Sequence, residues 1–248
     1  METKTWEKTS ERFIAVIDLM GIDDFIRKKD HLSVKRRIDI FHHILIDSVK
    51  SLKESMKEDY DYDIEEVLKF TFYSETILIV ANDDSEFSLQ NLLIACQVIV
   101  ASCIFDRIPV RGVISYGTIT ADFTDSFFFG RALLDAPKVI DHMYMYGVVI
   151  DNRVEKQMKE HLNNVVADHC ILGKVHTRSG MIRYYSINWM EIAARISHIN
   201  PELLLNNFYI EVSGDDRKYL DNTIEFYQTL PKEVSSSIGK ILSEDQTG

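Results

Sequence analysis

The chain has 248 residues, 46% hydrophobic and 27% charged, with few Gly and Pro, a globular composition that argues against long disorder. That length suits one large domain, or one domain with an appendage. The formal net charge of −11 speaks against a general nucleic-acid or anionic-membrane surface, which needs a basic face, but a metal ion can still offset the charge of a small anionic substrate.

The apolar run Phe13–Ile17 leading into Asp18 predicts a buried strand over 13–19. Helical spacing follows over 22–30 and 32–57, where Ile38, Ile40, Phe41, Ile44, Leu45, Val49 and Leu52 form an apolar stripe. The acidic segment 58–66 is expected as an exposed loop. Strands are predicted over 67–72 and 76–80 with Tyr73, Ser74 and Glu75 between them, then a turn at Asn82-Asp83-Asp84 and a strongly apolar, buried helix over 87–105. A strand over 109–115 is expected with a short partner near 118–121. Phe127-Phe128-Phe129 leads to Gly130 and a helix over 131–142. A strand over 147–150, a helix over 152–162 and strands near 168–173 and 181–187 follow. Ser179-Gly180 marks a hairpin turn between that last pair. From about 190 onward the pattern is helical and amphipathic, broken by Pro201 and Pro231. This order favours an α/β fold in which helices cover a mixed sheet.

Cys96, Cys103 and Cys170 have no CxxC spacing, so neither structural zinc nor a disulfide framework is expected. Cys96 and Cys103, seven apart in an apolar helical run, are expected as core thiols. The N-terminal METKTWEKTSER is polar, and no run is expected to reach the roughly 18 apolar residues of a membrane span. The expectation is a cytoplasmic chain without membrane insertion or nucleic-acid binding.

Asp18 ends a hydrophobic strand just before Gly21, where the pattern turns helical. Such a carboxylate beside free N–H groups at a helix start can hold a metal ion and a polyphosphate together. The plainer alternatives are a helix N-cap or an Asx turn. Asp23 and Asp24 read as first-turn acids complementing the helix dipole. Glu75, in KFTFYSETILIV, is a hairpin residue unless its strands lie beside that of Asp18. In that case two carboxylates meet at one edge, as a Mg²⁺ pair bridging a triphosphate requires. Arg111 starts a strand, and Gly112 within it marks close backbone approach. Lys138 and Arg131, on the helix after Gly130, form either a solvated basic face or a cation for a transferring phosphoryl group. The chain has no HExxH, Walker A, GxGxxG or GxSxG motif.

Taken in order, AVIDLMGIDDF, FYSETI, RGVISYG and FFFGRALLDAPKVID resemble the class III nucleotidyl cyclase catalytic domain. The resemblance is greatest to the small bacterial branch that includes the Pycsar-type pyrimidine cyclases of anti-phage signalling. It spans about 12–150 and extends through YYSINW at 184–189. It implies a ferredoxin-like core covered by helices over 1–190, with 191–248 as a helical extension. Asp18 and Glu75 would hold two Mg²⁺ or Mn²⁺ ions, and the backbone of Leu19, Met20, Gly21 and Ile22 would wrap the triphosphate. Lys138 and Arg111 would be the catalytic cations. Lys138 would act across a head-to-tail homodimer, on a nucleoside triphosphate, with UTP or CTP favoured. The enzyme would be a phosphorus–oxygen lyase releasing pyrophosphate and a 3′,5′-cyclic monophosphate, and a defence role would follow from the resemblance alone. The departures are Glu75 for Asp, Leu134 for the usual Asn, Pro137 within the helix, Ile140 beside Asp141 where Glu is common, and Thr71 near the base-reading Lys of adenylyl cyclases. They motivate an alternative: a catalytically degenerate domain that binds nucleotide or a protein partner.

Overall fold

The computed structural model describes residues 6–161, 169–210, 212 and 214–244. Its centre is a mixed eight-stranded sheet, and the strand order is β2-β3-β1-β4-β6-β8-β7, with β5 paired to β4. The strands are β1 (Thr9–Leu19), β2 (Leu68–Tyr73), β3 (Thr76–Ala81), β4 (Val110–Asp122), β5 (Phe127–Gly130), β6 (Gly147–Ile150), β7 (Cys170–Thr177) and β8 (Gly180–Ile187). All pairings are antiparallel except β4 with β6. The first four strands, in the order β2-β3-β1-β4, form the expected ferredoxin-like core.

β1 is central, covered on both faces, and so reads as a continuous apolar run: Phe13, Ile14, Ala15 and Ile17 are wholly buried. After it come α1 (Ile22–Lys28) and α2 (His31–Tyr60). The Asp30 side chain caps α2 by accepting from the Leu32 and Ser33 N–H groups at 3.0 Å each. The inner stripe of α2 includes Phe41, Ile44, Leu45 and Leu52, but Ile40 points outward and is half exposed. The segment 58–66 is no simple loop: α2 continues to Tyr60, and a 3₁₀ turn over Ile64–Glu66 buries Ile64 completely. Glu58, Asp61, Glu65 and Glu66 are exposed while the one aliphatic residue, Ile64, plugs the core.

α3 (Glu86–Phe105) is apolar all round because it is buried. Over an 18-residue window its mean hydropathy is 1.8, which corrects the expectation that no run reaches membrane-span length; 72% of that window is buried inside the protein. Cys96 and Cys103 lie wholly within this core as free thiols, and burial pushes both upward from the ordinary thiol range.

The strand expected over 109–115 and its partner near 118–121 are one 13-residue strand, β4, and the partner is the aromatic run β5. Gly117 lies within this strand, which continues through it. α4 (Arg131–His142) runs through Pro137, and Ala132, Ala136 and Ile140 form its buried stripe. α5 covers Asn152–His161; position 162, placed in this helix from sequence, lies outside the described residues, as does the start of the strand expected near 168. The predicted hairpin is β7 and β8 with Arg178 and Ser179 as its two-residue turn. Beyond it, α6 (Trp189–Ser197), α7 (Pro201–Asn206), α8 (Arg217–Gln228) and α9 (Lys232–Glu244) form the helical C-terminal part. Trp189, at the head of α6, is fully buried, and the Gln97 side chain of α3 donates to the Asn188 carbonyl at 2.8 Å. This part is therefore packed into the core.

Candidate active site at the end of strand β1

Asp18 occupies the penultimate position of β1, directly opposite Thr76 on β3 and Arg111 on β4. Cross-strand partners share a sheet face, so the three side chains converge. The Thr76 hydroxyl donates to Asp18 Oδ1 at 2.7 Å. Burial pushes the Asp18 carboxyl above the usual range; the Thr76 bond and the Arg111 charge oppose this, while Glu75 and Asp141 add to it. Asp18 is not a helix cap. The N-cap position of α1 is Gly21, without a side-chain bond, and its left-handed backbone (φ 73°) explains the glycine.

Two amides of the turn are used by the fold itself. Leu19 N–H donates to the Glu75 carbonyl and Met20 N–H to the Pro109 carbonyl, each at 2.9 Å. These bonds hold the turn and are not available to a phosphate. Gly21 and Ile22 stand at the helix start. Asp23 and Asp24 fall in the first turn of α1, but their side chains are outside the described set.

Glu75 and Ser74 form the two-residue turn between β2 and β3, with Ser74 at a left-handed φ of 52°. The Glu75 side chain is half-buried and accepts from the Ser74 hydroxyl. Because the Glu75 carbonyl is stitched to Leu19, this turn is fixed beside the end of β1. Asp18 and Glu75 thus come to one edge of the sheet.

Arg111 belongs to the same edge. Its Nη2 lies 3.3 Å from Asp141 Oδ1 on α4, and its Nε is buried without a hydrogen-bond partner. Next to it, Gly112 answers to the expected close approach: a Cβ there would lie 2.5 Å from the Val16 carbonyl oxygen. Lys138 is elsewhere in the chain. Its ammonium pairs with Asp135 at 2.8 Å, and it lines a separate cavity with His142 and Tyr184. Among the described residues it makes no contact with Asp18, Glu75 or Arg111.

The donors at this edge fit a divalent cation that arrives with phosphates. Among the described residues no three His, Cys, Asp or Glu side chains form a metal-holding group. Mg²⁺, however, typically takes one or two protein carboxylates and completes its shell with substrate phosphates and water. Asp18, with one oxygen left by Thr76, and Glu75 supply hard oxygens of that kind.

Three features escaped sequence reasoning. Thr76 as the partner of Asp18 and Asp141 as the partner of Arg111 depend on register and on helix placement, which no local pattern encodes. Asp135 gathers Lys138, Arg153 and Arg131, and the first two hold its carboxyl well below the usual range. The i,i+3 and i,i+4 spacings of Asp135 to Lys138 and of Arg131 to Asp135 were the available signal.

No family model and no curated protein matches this chain. Among solved structures it is similar to a bacterial light-regulated adenylyl cyclase at 10% identity, over 74% of this chain and 92% of that one, with a TM-score of 0.48. It is also similar to the guanylate cyclase domain of RhGC from Catenaria anguillulae in complex with GTP, at 10% identity over 73% and 98% of the two chains, TM-score 0.48. A third is an adenylate/guanylate cyclase/hydrolase from Silicibacter pomeroyi, at 16% identity over 72% and 98%, TM-score 0.43.

Proposed function

We propose that this chain is a nucleotidyl cyclase that converts a nucleoside triphosphate to a 3′,5′-cyclic monophosphate and pyrophosphate. The observation that carries this reading is the locked position of Asp18 between Thr76 and Arg111, with Glu75 fixed at the same edge. Asp18 and Glu75 would hold Mg²⁺ or Mn²⁺. When bound, the ions would offset the charge of the triphosphate and lower the pKa of the attacking hydroxyl. The Arg111 guanidinium, with a buried Nε to offer, suits a phosphate oxygen. Thr76 keeps Asp18 aimed. Attack of the ribose 3′-hydroxyl on the α-phosphorus forms the ring and expels pyrophosphate, so the contribution of the chain is positioning and electrostatics.

Lys138 enters this reading from a second copy of the chain. Its side chain is 70% exposed, and Leu134, one turn earlier, is 71% exposed, so this face of α4 is directed outward. A head-to-tail homodimer would carry Lys138 to the partner's site. A pyrimidine base and a role in defence rest on motif resemblance alone.

The test is a product assay with ATP, GTP, CTP and UTP, each with Mg²⁺ or Mn²⁺, read by mass spectrometry beside Asp18→Ala. One cyclic monophosphate, absent from the variant, supports the reading and names the base. No product from any base, with a folded wild-type protein, overturns it. The second reading, a degenerate binding domain, is favoured by Leu134 at the place of the usual Asn. It predicts nucleotide binding without turnover.

A further inference from the structure

We infer that the chain has a second ligand site, distinct from the Asp18 edge, that takes an aromatic phosphate monoester of nucleotide size. A cavity of about 500 Å³ lies beyond the Leu19–Ile22 turn, walled on its other side by the C-terminal part of the chain. That volume is in the range of small-molecule sites, roughly 300–1,000 Å³.

The charge at its rim is out of character for the chain. Lys28, Lys29, Arg37 and Arg107 all line it, against the single carboxylate of Asp216, although the whole protein carries −11. Arg107 holds a left-handed backbone (φ 58°), unusual for a non-glycine residue. Its carbonyl lies 3.5 Å from Arg37 Nη2, so α2 and the segment before β4 meet at this rim. Converging guanidinium and ammonium groups select a phosphate.

The interior is aromatic. Phe25, Tyr146, Phe208 and Tyr219 line it, and Tyr146 packs on Phe208 with ring centroids 5.4 Å apart. Tyr146 is only 2% exposed and lines the cavity, and its backbone N–H donates to Thr223 Oγ1 at 2.9 Å. A phenol in a cavity wall can donate to or accept from a ligand placed there. A ring with a polar edge would meet that hydroxyl, while its phosphate reached the basic rim. The cavity shares the Leu19–Ile22 turn with the cyclase reading but uses none of Asp18, Glu75, Arg111 or Lys138, so a variant at Arg111 separates the two sites.

The test is calorimetric titration of the full chain with 1-naphthyl phosphate, with 1-naphthol and inorganic phosphate as half-ligands. Expected is 1:1 binding, with each half-ligand at least about tenfold weaker, as loss of charge-assisted hydrogen bonds or of ring burial implies. Arg37→Gln and Tyr146→Phe should each weaken binding by about tenfold, and Arg111→Gln should leave it unchanged. Should Arg37→Gln fail to fold, Lys29→Gln takes its place. No binding, wild-type affinity in both variants, or loss on Arg111→Gln alone would each overturn the assignment. The last outcome would move the ligand to the Asp18 edge.

Discussion

The hydroxyl of Thr76 holds one oxygen of Asp18 at 2.7 Å from the strand on the side opposite Arg111. The second oxygen is thereby left for a ligand, and the carboxylate cannot rotate freely toward the guanidinium. Thr76→Val keeps the shape and removes the donor. It should cost about 1 kcal/mol of stability at most and lower kcat about tenfold, through loss of positioning. Urea melts beside steady-state kinetics check both. A fall in stability with kcat intact would show that the bond serves the fold alone.

Arg111 is shared between Asp141 and the open edge. Arg111→Lys retains the charge but loses the planar fork and the buried Nε, so KM for the triphosphate should rise by about tenfold or more. Asp141→Asn should do the reverse, releasing Arg111 to the phosphates and lowering KM a few-fold. Opposite directions for the two variants are the diagnostic result; a parallel change in both would mean that the ion pair, rather than the free guanidinium, binds substrate.

Most of the fold was legible because its signals are local. The helix over 131–142 and the strand over 147–150 follow from apolar period and from Gly130 and Gly147 at their starts. The errors came where burial overrode local signals. The strand expected over 109–115 and its partner near 118–121 are one, since β4 pairs with β1 without a break from Val110 to Thr120. Ile64 sits in an acidic stretch but is drawn into the core. At the site, Asp18, Glu75 and Arg111 were named from motif order. Their juxtaposition is a product of sheet register, and the Arg111–Asp141 pair joins residues 30 apart. The basic-rimmed cavity was wholly invisible, since its walls come from five separate segments of the chain.

Tyr116 gives a pH signature of the fold. Its hydroxyl donates to Glu11 Oε2 at 3.1 Å, and burial, then that bond and the charges of Glu11 and Asp84, push its phenol up to about 12. A group raised above its unfolded value, about 10, contributes stability that is complete below that value and lost as pH rises through the folded one. Stability should therefore decline between about pH 10 and 12 by more in the wild type than in Tyr116→Phe. Thermal melts across this range test it; identical declines would remove Tyr116 from the account.

Gly173 on β7 and Phe226 on α8 define how the C-terminal helices dock. A Cβ at Gly173 would lie 2.3 Å from Phe226 Cε2, and Phe226 is itself buried. Gly173→Ala should destabilise by about 1–3 kcal/mol, the ordinary cost of overpacking. The obstacle is a side chain, so it can be removed. Phe226→Leu in the Gly173→Ala background should recover part of the loss, a coupling that a double-mutant cycle measures directly. Gly112→Ala offers the contrast: there the clash is with the Val16 backbone oxygen, and trimming the side chain of Val16 should restore nothing. If Gly173→Ala is silent, α8 is free to move on β7 and the cavity between it and the Leu19–Ile22 turn is adjustable. If it is costly and rescued, that helix is a fixed wall.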